Sequence, residues 1–141
     1  MVKGITNILK NDTEVQTYVG LNAAGTKYKV YPVVCTQPEV APYSVVVLTG
    51  KSPFAECKGA GPNTYTCTYD VYSFHKNYDQ AEALDKEVVV ALDKPDGGIF
   101  NNVVFQEIRH TNTIDGAYNE EFGLFSKVSS FEAVINEDQA T

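Results

Sequence analysis

A chain of 141 residues is long enough for one ordinary domain with its own core and too short for two comfortable ones, so a single domain over 1–141 is expected. Its hydrophobic (43%) and aromatic (11%) fractions are globular values that exclude a wholly disordered chain. The net charge of −7 sits in the second half, where five Lys or Arg oppose thirteen acidic residues from Lys76 onward, against six Lys and five acidic residues up to His75; such a surface repels phosphate, and no basic run is interleaved with aromatics, so tight nucleic-acid binding is disfavoured.

The opening segment predicts two helical pieces. Ile5, Ile8 and Leu9 fall at helical spacing, and Asn11 precedes Glu14 by three, the pattern in which two side chains cover orphan amides of a helix start. Val15, Tyr18 and Val19 form the second piece's apolar face, Gly20 closes it, and NAAGT (22–26) reads as a turn. Lys29–Val33 is extended; Pro32 cannot donate to a ladder, so this strand lies at an edge or turns that position away from a partner. A strand follows from Pro42–Tyr43, and Val45, Val46, Val47 and Leu48 make it apolar on both faces, which implies burial on both sides.

TGKSPFAECKGAGPN (49–63) reads as the loop of a long hairpin arm, and its length favours a functional or mobile role. The return strand TYTCTYDVYSF (64–74) alternates, with Tyr65, Cys67, Tyr69 and Val71 on one face and Thr66, Thr68, Asp70, Tyr72 and Phe74 on the other. Next comes the clearest helix. Asn77 and Gln80 mark its start; Ala81, Leu84, Val88, Ala91 and Leu92 line one face; Asp79, Glu82 and Asp85 load its first turns; Pro95 and Gly97–Gly98 end it. Val103, Phe105 and Ile108 then predict one strand and Phe122–Ile135 another, joined by the polar loop HTNTIDGAYNEE, with a frayed tail from Asn136. The order argues an α+β fold, a mostly antiparallel sheet with a long β-hairpin arm packed against two or three helices.

No chemistry converges. His75 and His110 read as strand-end surface residues without a metal-spaced partner. Cys67, Asp70 and His75 make a triad only on paper, since strand parity puts Asp70 on the opposite face from the other two. KGAGPN (58–63) lacks the ending and the following helix of a phosphate loop, and Asp115, Glu120 and Glu121 lack the spacing of a calcium loop. Cys35, Cys57 and Cys67 have no CxxC spacing and read as free thiols in a reducing cytoplasm, with a Cys57–Cys67 bridge as the alternative. MVKGITNILK has no signal core, and no apolar run reaches the ~20 residues of a membrane span. No enzyme, cofactor or metal is expected.

Several pieces in order resemble the tail-completion, or tail-terminator, proteins of long-tailed bacteriophages and prophages. They are DTEVQTYVG, VYP at Val30–Pro32, the PY-initiated strand Pro42–Leu48, YTCTYDVYSF, NYDQAEALDKEVVVAL and the ending LFSKVSSFEAVI. This chain departs from the family in a final strand without an aromatic-rich ending and in a long hairpin loop, which leaves the subfamily open. The resemblance implies a homo-oligomeric ring, typically a hexamer, that caps the tail tube in the virion, stops its polymerisation and meets a head-side connector while DNA passes through unbound. It suggests contacts with the neighbouring subunit or tail at Lys51, Pro53, Phe54, Lys58 and Tyr65, and a lumen-facing acidic loop at Asp115, Glu120 and Glu121. The alternatives are another head–tail adaptor, a tail tube component, or a small-molecule-binding α+β domain.

Overall fold

A computed structural model describes residues 2–21, 25, 28–32, 42–53, 64–100 and 103–136. Helices α1 (Val2–Lys10), α2 (Thr13–Val19) and α3 (Tyr78–Leu92) pack on one face of a six-stranded sheet. The strands are β1 (Val30–Pro32), β2 (Tyr43–Pro53), β3 (Thr64–His75), β4 (Gly98–Phe100), β5 (Val103–Asp115) and β6 (Phe125–Asn136), arranged β1-β2-β3-β6-β5-β4. Only β1 and β2 run parallel, so the fold is α+β with a mostly antiparallel sheet, as expected.

Local chemistry sets the helix limits. Asp12, not Asn11, caps α2: its Oδ1 accepts from the amides of Glu14 and Val15 at 3.1 and 3.0 Å, while Asn11 donates its Nδ2 to Asn7 O at 2.9 Å and so finishes α1. Gly20 closes α2 at φ +67°, and Asn77 caps α3 by accepting from the Gln80 amide at 3.2 Å.

Strand parity sorts the sheet into two faces. Cys67, Tyr69 and Val71 of β3 stand opposite Ala133, Phe131 and Ser129 of β6 and face the helices, burying themselves with Phe105, Ile108, Ile5, Leu9, Val15, Leu84, Val88 and Leu92. Each fully buried large aliphatic contributes roughly 1.5–3 kcal/mol of transfer free energy. On the other face Tyr43 stacks on Phe74 at 4.8 Å, Phe74 on Tyr72 at 6.1 Å, and Tyr31 meets Tyr43 edge-on at 6.3 Å. With Val45 buried beside these rings, β2 is apolar on both sides, as its sequence requires, and Pro32 does lie in an edge strand.

Three predicted loops or tails are strand. Thr49–Pro53 continues β2 against Tyr65–Thr68, past a bulge between Leu48 and Gly50; the connection 54–63 lies outside the described residues. HTNTID belongs to β5, because β6 offers it matching polar partners: Asn112, Thr113 and Asp115 stand opposite Ser130, Ser129 and Lys127, and Thr111 Oγ1 donates to Ser130 O at 3.0 Å. The β5–β6 turn therefore begins only at Gly116. Asn136 is the buried last residue of β6, with its Nδ2 3.4 Å from Thr64 Oγ1; residues 137–141 are outside the described set.

Candidate functional site

The two regions singled out in the sequence lie at opposite ends of the sheet. Pro53 pairs with Tyr65, which pairs with Ile135, whereas His75 at the far end of β3 pairs with Phe125, next to the β5–β6 turn. Ten residue steps along β3 take Tyr65 to His75, about 33 Å at the rise of a strand. At the arm end, Lys51 is exposed and holds its Nζ 4.1 Å from the centre of the Tyr65 ring, a cation–π contact that stiffens the hairpin. Phe54 and Lys58 fall outside the described residues.

At the other end the acidic trio divides. Asp115 closes β5 and binds Lys127 Nζ at 2.6 Å, with Tyr78 Oη 3.1 and 3.3 Å from its two oxygens. The hydrogen bond from Lys127, and then that from Tyr78, holds the Asp115 carboxyl below the usual carboxylate range; the bond to Asp115 holds the Lys127 ammonium well above the usual lysine range. Glu120 and Glu121 remain exposed in the turn, beside Tyr118, stacked on Phe125 at 4.6 Å, and the 59%-exposed Phe122. Among the described residues no group of three His, Cys, Asp or Glu is placed to hold a metal ion.

The chemistry that sequence reading missed lies between α3 and β5. Asp85, grouped in the sequence with Asp79 and Glu82 as acids loading the first helical turns, is buried and accepts from Ser129 Oγ at 2.6 Å. Its signal was its position: four residues after Ala81 and three before Val88, it stands inside the apolar stripe of α3. Burial raises its pKa, partly offset by the Ser129 hydrogen bond. Ser129 Oγ is 2.8 Å from Thr113 Oγ1, which is 2.7 Å from His110 Nε2. His110, expected at a strand end, is half-buried within β5 over Phe131, with ring centres 5.4 Å apart.

The direction of this chain follows from its ends. Asn112 O, 3.1 Å from His110 Nε2, can only accept, so Nε2 carries the proton; Thr113 then donates to Ser129 and Ser129 to the Asp85 carboxylate. Ser129 thus gives its proton to the acid and none to the histidine, the reverse of an activated nucleophile. The network ties α3 to β5 and β6. Above it lies an open groove of about 480 Å³, lined by Glu82, Lys86, Val89, Val90, His110 and Thr113 among others.

The remaining sequence candidates stay apart. Cys67 is buried, and Asp70 on the opposite face accepts from Ser130 Oγ at 2.6 Å, so parity does break the paper triad. His75 accepts the Asn77 amide at its Nδ1 (2.9 Å), a strand-end role; burial first, and then the Lys29 charge, lowers its pKa. Cys35 and Cys57 are outside the described residues.

No family model and no curated protein matches the chain. Solved structures do match. A chain described as "Virion of native gene transfer agent (GTA) particle" superposes with a TM-score of 0.66 at 15% identity, covering 96% of this chain and 94% of that one. The fold is shared end to end. A second solved chain gives a TM-score of 0.54 at 12% identity over 90% of this chain and 88% of its own length. No helix among the described residues is long and apolar enough to cross a membrane.

Proposed function

We propose that this chain is a structural protein of a phage-like virion, and within that class a tail terminator: one domain per subunit, assembled into a ring, typically of six, that caps the tail tube at the junction with the head. The observation that carries the reading is the near-complete fold likeness, in both directions, to a chain of a gene transfer agent virion. The ordered pieces DTEVQTYVG, VYP, PYSVVVL and NYDQAEALDKEVVVAL narrow it from virion protein to terminator. The hydroxyl chain from His110 to Asp85 runs the wrong way for a hydrolase, which favours a non-catalytic role.

In the ring, Lys51, Pro53, Phe54, Lys58 and Tyr65 meet the neighbouring subunit or the tube. Glu120 and Glu121 line the channel and repel passing DNA, Asp115 being neutralised by Lys127. The ring stops the tube protein's polymerisation and presents its other rim to the head-side connector, all of it assembled in the host cytoplasm. Light scattering behind size exclusion, with negative-stain imaging, is expected to find rings of defined mass, alone or on tail tubes. Loss of the gene is expected to give overlong or headless tails; a strict monomer that never rings beside tubes, or normal virions without the gene, contradicts the reading, and a strongly basic lumen contradicts the channel assignment.

A further inference from the structure

The second half of β5 is an open edge with one regular stretch. β4 covers β5 only at Val103–Phe105, and Lys94 exchanges both backbone hydrogen bonds with Ile108 at 3.0 and 2.9 Å. From Arg109 to Asp115 no described residue pairs with the outer side, and Thr111–Asp115 are all exposed. A bulge at Thr111 breaks the ladder between His110 and Asn112, so the straight part of this edge begins after it. Because the Gly116 amide donates inward to Ser126 O, alternation turns the N–H and C=O of Thr113 and Asp115 outward. Natural edges are usually blunted by Lys or Pro; RHTNTID contains neither.

That straight part is complementary to itself. An antiparallel copy laid against it, with a twofold axis through Ile114, sets Thr113 opposite Asp115 of the copy and Asp115 opposite its Thr113. In both pairs each residue aims its N–H and C=O at the other. Ile114 then meets its own counterpart at a non-hydrogen-bonded position, where paired Cα atoms lie about 4.5 Å apart. Its side chain points to the face of Val128 and Tyr72, away from the helices, and is 56% exposed in the single chain; across the axis the two isoleucines cover each other.

The same register carries the copy's chain beyond Asp115, through Gly116–Tyr118, past Asn112–His110 and toward the groove of Val89 and the 72%-exposed Val90. The turn that follows is rigid: Asn119 and Leu124 exchange backbone hydrogen bonds at 2.9 and 3.1 Å, and Asn119 Oδ1 accepts the Phe122 amide at 3.1 Å. It holds Tyr118 and Phe122 out to solvent beside Glu120 and Glu121. Lys86, 3.8 Å from Glu82, stands exposed on the rim of the groove. An apolar, acidic turn thus approaches an apolar groove with a lysine on its rim, twice in the pair.

We propose that two copies of the free chain pair through Thr113–Asp115 of β5, antiparallel about an axis at Ile114, so that two six-stranded sheets become one. A contact between identical patches closes on itself and stops at two. The pairing does not rest on the ring reading; a ring whose channel is lined by Glu120 and Glu121 forms only after the pair opens.

Sedimentation velocity of the full chain over a concentration series is expected to show a monomer–dimer equilibrium. Ile114→Asp puts two carboxylates at the axis and is expected to weaken dimerisation by about tenfold or more, with native circular dichroism because this side chain is exposed in the monomer. Ile114→Val keeps a β-branched apolar pair and is expected to stay within about twofold of the wild type. Ile114→Cys brings two thiols within the Cα spacing that a disulfide spans, about 4.4–6.8 Å. On oxidation it is expected to give a covalent dimer and nothing larger, above the wild-type background of Cys35, Cys57 and Cys67. The cysteine variant decides the matter if Ile114→Asp fails to fold. A wild-type chain with no dimer at any concentration, a dimer that Ile114→Asp leaves intact, or no cross-link in Ile114→Cys overturns the pairing and leaves the ring reading standing. A chain that pairs in this way but never rings beside tail tubes overturns the ring reading alone.

Discussion

The two halves of β5 are one strand built by different forces. From Val103 to Ile108 it is held by burial: Phe105 and Ile108 lie in the core under α1 and α3. From Arg109 to Asp115 it is held by cross-strand polar contacts, Arg109 to Glu132 at 2.7 Å, Thr113 to Ser129 at 2.8 Å and Asp115 to Lys127 at 2.6 Å, with its outer edge bare among the described residues. The first half stabilises the fold. The second can change partners without exposing a core, which suits a contact surface.

Substitutions in each half test this contrast. Phe105→Ala is expected to cost about 3–5 kcal/mol in urea unfolding, the range for emptying a buried aromatic site; a loss below 1 kcal/mol would mean the first half is not core-held. Gly97→Ala should follow at about 2 kcal/mol, because Gly97 sits at φ +66° and an added Cβ would clash with Phe105 O, pushing on that same half.

The two carboxylates beside the second half come next, with opposite signs. Asp115 has a lowered pKa, so its contribution is present above the unfolded value near 3.8 and is lost as pH falls through its folded value; Lys127→Met should remove that acid-sensitive share of stability. Asp85 has a raised pKa, so stability falls as pH climbs from about 3.8 through its folded value, and Asp85→Asn should flatten that slope. An asparagine Oδ1 still accepts from Ser129, so at neutral pH the change should stay within about 1 kcal/mol. Thermal unfolding from pH 3 to 7 separates the two signs. Smallest of all, Thr111→Ala should move monomer stability by no more than about 0.5 kcal/mol; a larger loss would place the second half in the folding core.

What could be read in advance divides along the same line. The apolar stripes of α3 and β3 fixed their own faces, because period and parity are local properties: Leu84, Val88, Tyr69 and Val71 are buried where they were expected. Asp85 sat in the α3 stripe, yet an acid there reads as solvated until Ser129 is known to lie opposite. HTNTID reads as a loop because a polar strand carries no apolar period; only β6, bringing Ser129 and Ser130 across, makes it a strand. The cap at Asp12 was missed by one residue, since Asn11 and Asp12 are equally good caps in isolation and the end of α1 chooses between them.

Residue identity alone determined the α+β mixture, the helix faces and the opposite faces of Cys67 and Asp70, because each depends on spacing along a few residues; it left Pro32 either at an edge or turned away from a partner, and strand order chose the edge. The tertiary structure decided that the Lys51–Tyr65 end and the acidic turn lie at opposite ends of the sheet, that Asp115 is paired, and that among the described residues nothing pairs with the outer edge of β5 from Arg109 to Asp115. Those facts depend on strand order, which is set by which distant segments share a core, and no local pattern encodes it.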